Sequence, residues 1–327
     1  MYYVGVDVSK RKLDLCLLVN PNPKKYKSKA IENSLSGVEN MINWLINQSI
    51  NIVDVHVIME ATGIYHERVA IALHEAGISV SIVNPAQVKS FARANGVLTK
   101  TDGVDSRLLA DYGALMSPSI WQAPSAEARI LKGLLARREA VKNDLQREEN
   151  RMEQAEIAQE SDFIQLSIRK SIRFLKEELK NIEVQVSAHI DQHPTLKQER
   201  ELLESIPAIG AQTSAQMLSI THNNQFHSAE QLAAYLGLTP IEKQSGSSVR
   251  GRARLSKTGS PKMRAVLYMA AITAIKYNYH VKSLYERLLA KGKTKMSALG
   301  AAMRKLVHLC FGVLKTRQKY QADYQNA

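Results

Sequence analysis

The chain has 327 residues, 45% hydrophobic and 6% aromatic, an ordinary globular composition with room for two or three domains and a real core. Its formal net charge of +13 favours a polyanionic partner over acidic small molecules. From Ile241 to Lys319 eighteen Lys and Arg stand against two acids, Glu242 and Glu286, so this stretch alone carries +16 and the rest is slightly acidic. The first part alternates strand and helix signals. "YYVGVDVS" and "KLDLCLLV" are short β-rich runs, and "NSLSGVENMINWLINQ" opens on a Ser/Asn cap and keeps helical spacing through Val38, Met41, Ile42 and Leu45. A strand "VDVHVIME", a helix "HERVAIALHEAG", a strand "SVSIVNP" and a helix from Pro85 follow. The order β-β-β-α-β-α-β-α predicts a mixed sheet covered by helices.

Pro118 and Pro124 mark a boundary, which sets the first domain at 1–125. Charge-rich helix then runs from about Glu127 towards Ile190, with Ile164, Ile168, Ile172, Leu175, Leu179, Ile182 and Val186 spaced by four and three. That pattern reads as a helical hairpin or coiled-coil arm over 126–195, either packed on its own domain or serving dimerisation. The third domain, 196–327, is expected to be mainly α-helical. It opens on "LLESIPAIGAQTSAQML", two helical halves joined through Pro207 to Gly210, the pattern of a helix-hairpin-helix whose turn offers N–H groups to phosphate. Two long helices, "SPKMRAVLYMAAITAIKY" and "SALGAAMRKLVHLCFGVLKTRQ", complete it.

Cys16 and Cys310 lie at opposite ends of the chain in apolar surroundings and read as buried reduced thiols of a cytosolic protein. "MYYVGVDVSK" lacks the pattern of a secretory leader, and the apolar run Ala265 to Ile275 is too short to span a bilayer, so no membrane partner is expected. Neither a Walker-type glycine loop, a dinucleotide fingerprint nor zinc-spaced Cys and His is present, which leaves ATP-driven, hydride-transfer and zinc chemistry without support.

Four carboxylates stand out. Asp7 interrupts the apolar strand Val4, Val6, Val8, and Glu60 ends the strand "VDVHVIME"; buried carboxylates of this kind must be paired, hydrogen-bonded or bound to metal. Asp102 and Asp105 stand three apart at a helix start and face the same way. Singly, the helical pair could be first-turn acids, and Asp7 or Glu60 could meet Lys10 or Lys100. Together, an oxygen-only set at strand ends and on one helical face suits one or two Mg²⁺ or Mn²⁺ ions. In "QSGSSVRGRARLSK" small hydroxyls precede Arg250, Arg252, Arg254 and Lys257, which can hold phosphate oxygens; on chemistry alone Ser245, Ser247 and Ser248 are equivalent.

The segments "GVDVSK", "EATGIYHERVA", "VNPAQVKSFA", "KTDGVDSRLLA", "LLESIPAIGAQTSA" and "GLTPIEKQSGSSVRGRARLSKTGSPKMRAVLYMAA", in that order and over nearly the whole chain, resemble the motifs of the IS110 family of insertion-sequence transposases. The resemblance implies an N-terminal RuvC-like domain of RNase H fold with a DEDD tetrad at Asp7, Glu60, Asp102 and Asp105, and a C-terminal transposase domain whose nucleophile is Ser245. It further implies DNA recombination through a phosphoserine link, donor and target double-stranded DNA as partners, a bridge RNA encoded by the element, and a homodimer or homotetramer with an active site shared between domains. A nucleoid-associated location in a prokaryotic cytoplasm follows. No RNP, KH or cold-shock signature is present, so the RNA partner comes from the resemblance alone. Two other readings stay open: a structure-specific nuclease such as a junction resolvase, with metal-activated water and Ser245 only positioning the strand, and a non-catalytic nucleic-acid scaffold.

Overall fold

The computed structural model describes residues 1–61, 63–96, 102–242, 244–245, 249–250 and 254–322, with Asp102, Gln244, Ser245, Val249 and Arg250 described through their backbone alone. The chain divides into two compact units, Met1–Ala123 and Pro124–Ala327.

The first unit is built on five strands, β1 (Tyr2–Val8), β2 (Lys12–Pro21), β3 (Lys24–Glu32), β4 (Val55–Glu60) and β5 (Ser79–Val83), in the order β3-β2-β1-β4-β5. Strand β2 alone runs antiparallel to the others. Four helices accompany them: α1 (Leu35–Ile46), α2 (Glu67–Glu75), α3 (Pro85–Ala94) and α4 (Asp102–Met116). The mixed sheet covered by helices is as the sequence predicts.

Because side chains alternate along a strand, each strand feeds two cores. Val4, Val6 and Val8 join Leu13, Leu15 and Leu17 of β2, Val55, Val57 and Met59 of β4, Met41 and Leu45 of α1, and Val69 and Leu73 of α2. The opposite face packs Ile58 and Val83 against Leu108, Leu109 and Tyr112 of α4. Strand β3, "KKYKSKAIE", is almost wholly polar, and its place at the sheet edge explains why: lysines there discourage pairing with another chain.

The second unit opens with a hairpin of two long helices, α5 (Ala126–Ile157) and α6 (Asp162–Gln192). Six helices follow: α7 (Pro194–Glu204), α8 (Ala211–Asn223), α9 (Ala229–Tyr235), α10 (Pro261–Tyr277), α11 (Tyr279–Ala290) and α12 (Lys295–Thr316). Leu131, Ile182 and Ile190 at the base of the hairpin share one core with Leu203, Met217, Leu232, Leu267 and Leu306, so this end is part of the C-terminal unit. Towards the tip, Phe163, Leu166 and Phe174 are exposed. The turn between α7 and α8 holds Ala208 at a φ of 85°, and Ile209 N–H donates to the Ile206 carbonyl at 3.0 Å.

Helix α12 is 22 residues long and its most apolar 18-residue stretch has a mean hydropathy of 1.3, enough to cross a membrane by length and composition alone. Leu306, Val307 and Cys310 nevertheless lie wholly inside the helical core, which accounts for its apolar character. Both cysteines are free and buried, as expected, and burial pushes the Cys310 thiol up to about 12. The same core contains a buried charge. Glu199 of α7 accepts a hydrogen bond from His222 of α8 at 2.5 Å and pairs with Arg317 after α12, also at 2.5 Å. Burial raises its carboxyl pKa, but those two partners outweigh that and hold it below the ordinary carboxylate value.

Candidate active site: an acidic sheet face and a serine hairpin

Strand register places two of the predicted carboxylates side by side. Strands β1 and β4 are parallel, Gly5 aligns with Ile58 and Val6 with Met59, so Asp7 and Glu60 follow next on neighbouring strands. Alternation then decides their face. Val6 and Met59 point into the larger core, so Asp7 and Glu60 share the face that carries α4.

Helix α4 brings the third. A Cβ on Gly5 would lie 1.9 Å from the Ser106 carbonyl oxygen and 2.5 Å from the Ala110 amide nitrogen, so helix backbone rests directly on strand backbone. Further along, Gly113 lies against the side chains of Ile58 and Tyr3, where a Cβ would come within 2.3 Å of Ile58 Cδ1. The helix therefore runs antiparallel to β1, and its first turn reaches the strand end that bears Asp7. Asp105 immediately precedes the buried Ser106 at that contact, and Asp102 opens the helix one turn earlier. The side chain of Asp102 is outside the described residues, as is all of Lys100.

A clamp from β3 fixes the next turn. Lys24 Nζ donates to Asp111 Oδ2 at 2.8 Å, the Tyr26 hydroxyl donates to Asp111 Oδ1 at 2.7 Å, and the Arg107 guanidinium lies 4.0 Å over the Tyr26 ring. These contacts hold α4 against the sheet from a second side.

Sequence reasoning missed a further carboxylate on this face. Asp14 of β2 is the direct cross-strand partner of Asp7, and cross-strand partners lie on the same face. Two acids so placed repel, and Lys12 pairs with Asp14 at 2.7 Å. The signal was available in "KLDLCLLV", where Asp14 occupies the strand face opposite Leu13 and Leu15. All these donors are oxygens, the set that suits a hard divalent cation. Among the described residues no three His, Cys, Asp or Glu side chains close into a metal-holding group.

The serine segment lies in the second unit. Strand β6 (Pro240–Ile241) pairs with β9 (Arg254–Leu255), and within them β7 (Gln244–Ser245) pairs with β8 (Val249–Arg250), setting Ser245 opposite Val249. Ser247, Ser248 and Arg252 lie outside the described residues. Arg254 and Lys257 are exposed. Leu255 anchors the ribbon by packing against Gly300 of α12, and Lys257 N–H donates to the carbonyl of Gly237, a residue held at a φ of 72° that favours glycine. The hairpin thus stands on a rigid base, which alternation signals in so short a stretch could not reveal.

A mixed sheet with an acidic face under a covering helix, in one chain with a basic helical unit, suits an enzyme that works on a polyanionic substrate. Residues 4–155 match a family model described as "Transposase", of the DEDD type, and residues 200–286 match the "Transposase IS116/IS110/IS902 family". The pilin gene-inverting protein of Moraxella bovis is 31% identical over 320 residues, 97% of each chain. The transposase for insertion sequence element IS1111A of Coxiella burnetii is 22% identical over 273 residues, 75% of this chain and 74% of its own. Among solved structures, RuvC of Thermus thermophilus aligns with 36% of this chain and 96% of its own at 16% identity and a TM-score of 0.28. The chain belongs to the IS110 family of transposases. It is a DNA transposase or recombinase whose N-terminal unit has the expected mixed sheet covered by helices and whose C-terminal unit is helical.

Proposed function

We propose that the protein is the recombinase of an IS110-type mobile element, cutting and rejoining DNA through a phosphoserine link on Ser245. The observation that carries this reading is the juxtaposition of Asp7 and Glu60 on neighbouring strand ends beneath the helical turn of Asp105. The donor set fits a divalent cation, and Asp7, Glu60, Asp102 and Asp105 are the residues to hold it. When bound, Mg²⁺ or Mn²⁺ supplies neutralisation of the charge that builds on the phosphate in the transition state.

The chain's own residues do the rest. A serine hydroxyl is a weak nucleophile at its ordinary pKa, and the +16 stretch around Ser245 favours its ionised form. Arg250, Arg252, Arg254 and Lys257 hold the non-bridging phosphate oxygens, so the group is oriented for attack. Ser245 Oγ gives up its proton to solvent and bonds to phosphorus, the bridging deoxyribose oxygen leaves and takes a proton back from solvent, and the ester energy stays in the new bond. A hydroxyl from a second strand reverses the step and joins new partners without external energy. With both sites on one molecule the same chemistry inverts the segment between them, as likeness to the gene-inverting relatives suggests.

Donor and target duplexes are the substrates. A bridge RNA that selects them by base pairing is the partner the family resemblance implies, and the basic C-terminal unit suits either nucleic acid, with steep salt dependence. Self-association is supported by α6. Phe163, Leu166, Phe174 and Val184 form an exposed stripe along α6 with Lys170 and Glu177, Phe174 also bordering a groove beside Arg147 and Arg151 of α5. A two-fold axis midway between Arg173 and Phe174 sets Phe163 opposite the second copy's Val184 and Lys170 opposite its Glu177, so the stripe is self-complementary. The protein acts in the cytoplasm, on the nucleoid.

The test traps a covalent protein–DNA adduct in Mg²⁺ with donor and target duplexes and the element's RNA, followed by peptide mapping. An adduct on Ser245 that disappears in Asp105→Ala is expected. Metal-dependent cleavage that persists in Ser245→Ala without an adduct assigns the site instead to a water-activating nuclease.

A further inference from the structure

In the second unit a cavity of about 860 Å³ opens between the start of α11, one face of α12 and the residues that follow α12. Six lining residues carry the argument: Tyr279, Lys305, His308, Phe311, Gly312 and Lys319. Positions 305, 308 and 312 recur at helical spacing, so a single stripe of α12 forms one wall.

Gly312 is the informative position. It stands inside a helix, where glycine is unfavourable, yet a Cβ there would meet nothing within 4 Å, so packing does not require it. A missing side chain at this point leaves helix backbone open to the cavity, the use glycine has where another molecule comes close. The remaining lining is aromatic and basic. Tyr279 lines the cavity while 66% exposed, and Phe311 is partly buried behind it in the helical core. Lys305 and Lys319 make no ion pair among the described residues, and the acid facing this wall is Glu230, 3.9 Å from His308 Nδ1. Burial lowers the pKa of His308, which keeps its ring neutral near pH 7, with one donor and one acceptor nitrogen.

We propose that this cavity binds one unpaired nucleotide of a nucleic-acid strand, its base stacked on Tyr279 and its phosphate held by Lys305 and Lys319. A base inside a duplex already has both faces stacked, so a concave aromatic site of this kind selects single-stranded or extruded nucleotides. The inference rests on nucleic acid being the partner and needs nothing of the serine chemistry. It is therefore tested on the full-length Ser245→Ala chain without divalent metal, where failure of the proposed reaction cannot interfere.

The probes are fluorescein-labelled oligothymidylate and oligouridylate of about 12 nucleotides and a duplex of equal length, read by anisotropy. Tyr279→Ala and Gly312→Leu are each expected to weaken single-strand binding by roughly 10-fold, with Tyr279→Phe retaining affinity and duplex binding unchanged. The strand whose affinity falls further, deoxyribo or ribo, identifies the source of the nucleotide. Unchanged single-strand affinity in Tyr279→Ala overturns the proposal, and so does an equal loss for single strand and duplex. If Gly312→Leu fails to fold, the contrast between alanine and phenylalanine at the exposed position 279 decides by itself.

Discussion

Gly5→Ala tests the link between fold and chemistry most directly. The added Cβ would sit 1.9 Å from the Ser106 carbonyl oxygen, against an ordinary contact distance of 3.4 Å or more, so strand and helix must separate by about 1.5 Å. The opposing atoms are backbone, at the centre of a helix also held by Gly113 and by the Lys24–Asp111–Tyr26 clamp, and no side chain can swing aside to make room. Overpacking of this kind costs about 1–3 kcal/mol, which lowers the Tm of the N-terminal unit by several degrees. The functional loss should be larger. Asp105 precedes Ser106, so the whole acidic turn moves with it, and a displacement of about 1 Å at a catalytic group costs roughly 100-fold in rate. Recombination on a two-site plasmid, beside thermal unfolding, measures both effects. Gly133→Ala in α5 is the control, since a Cβ there meets nothing within 4 Å and helix propensity alone should make it neutral or slightly stabilising. A Gly5→Ala protein with wild-type Tm and wild-type recombination would refute the argument that strand–helix contact sets the position of the carboxylates.

Asp7→Asn, Glu60→Gln and Asp105→Asn should each abolish metal-dependent cleavage while the fold, read by circular dichroism, is retained; a variant that keeps cleavage removes that residue from the site. Glu199 gives a pH signature. Its carboxyl pKa lies below the ordinary glutamate value of 4.5, so its contribution is fully present above that value and is lost as pH falls through the depressed one. Glu199→Gln should therefore flatten stability against pH below about 4.5 and destabilise at neutral pH by about 2 kcal/mol, discounted for the half-exposed Arg317; chemical denaturation at several pH values reads it. For the self-complementary stripe of α6, Phe174→Asp should shift the oligomer towards monomer in sedimentation. Lys170→Glu alone should weaken association and the double variant Lys170→Glu, Glu177→Lys should restore it; no change in either leaves α6 outside the interface.

The sequence by itself determined the outline. Periodicity marked strands β1, β2, β4 and β5, the long arm and the two long C-terminal helices, because each buries one face against a core and its apolar spacing records that burial. It also named the carboxylates, since Asp7 in a valine strand and Glu60 at the end of another are conspicuous where polar groups are costly. Less local features escaped it. Strand β3 carries no apolar run because it is an edge, α9 and α11 are short, and the burial that makes α12 apolar shows only in the core around it. Asp14 stands out in its strand only as a polar residue on the face opposite Leu13 and Leu15, and pairing with β1 is what sets it opposite Asp7. What only the tertiary structure decided is which acids share a face: parallel register aligns Asp7 with Glu60, and backbone contact at Gly5 brings the start of α4 over them. The register joins residues 53 positions apart and the close approach residues 101 apart, and no local pattern of propensity or spacing encodes either.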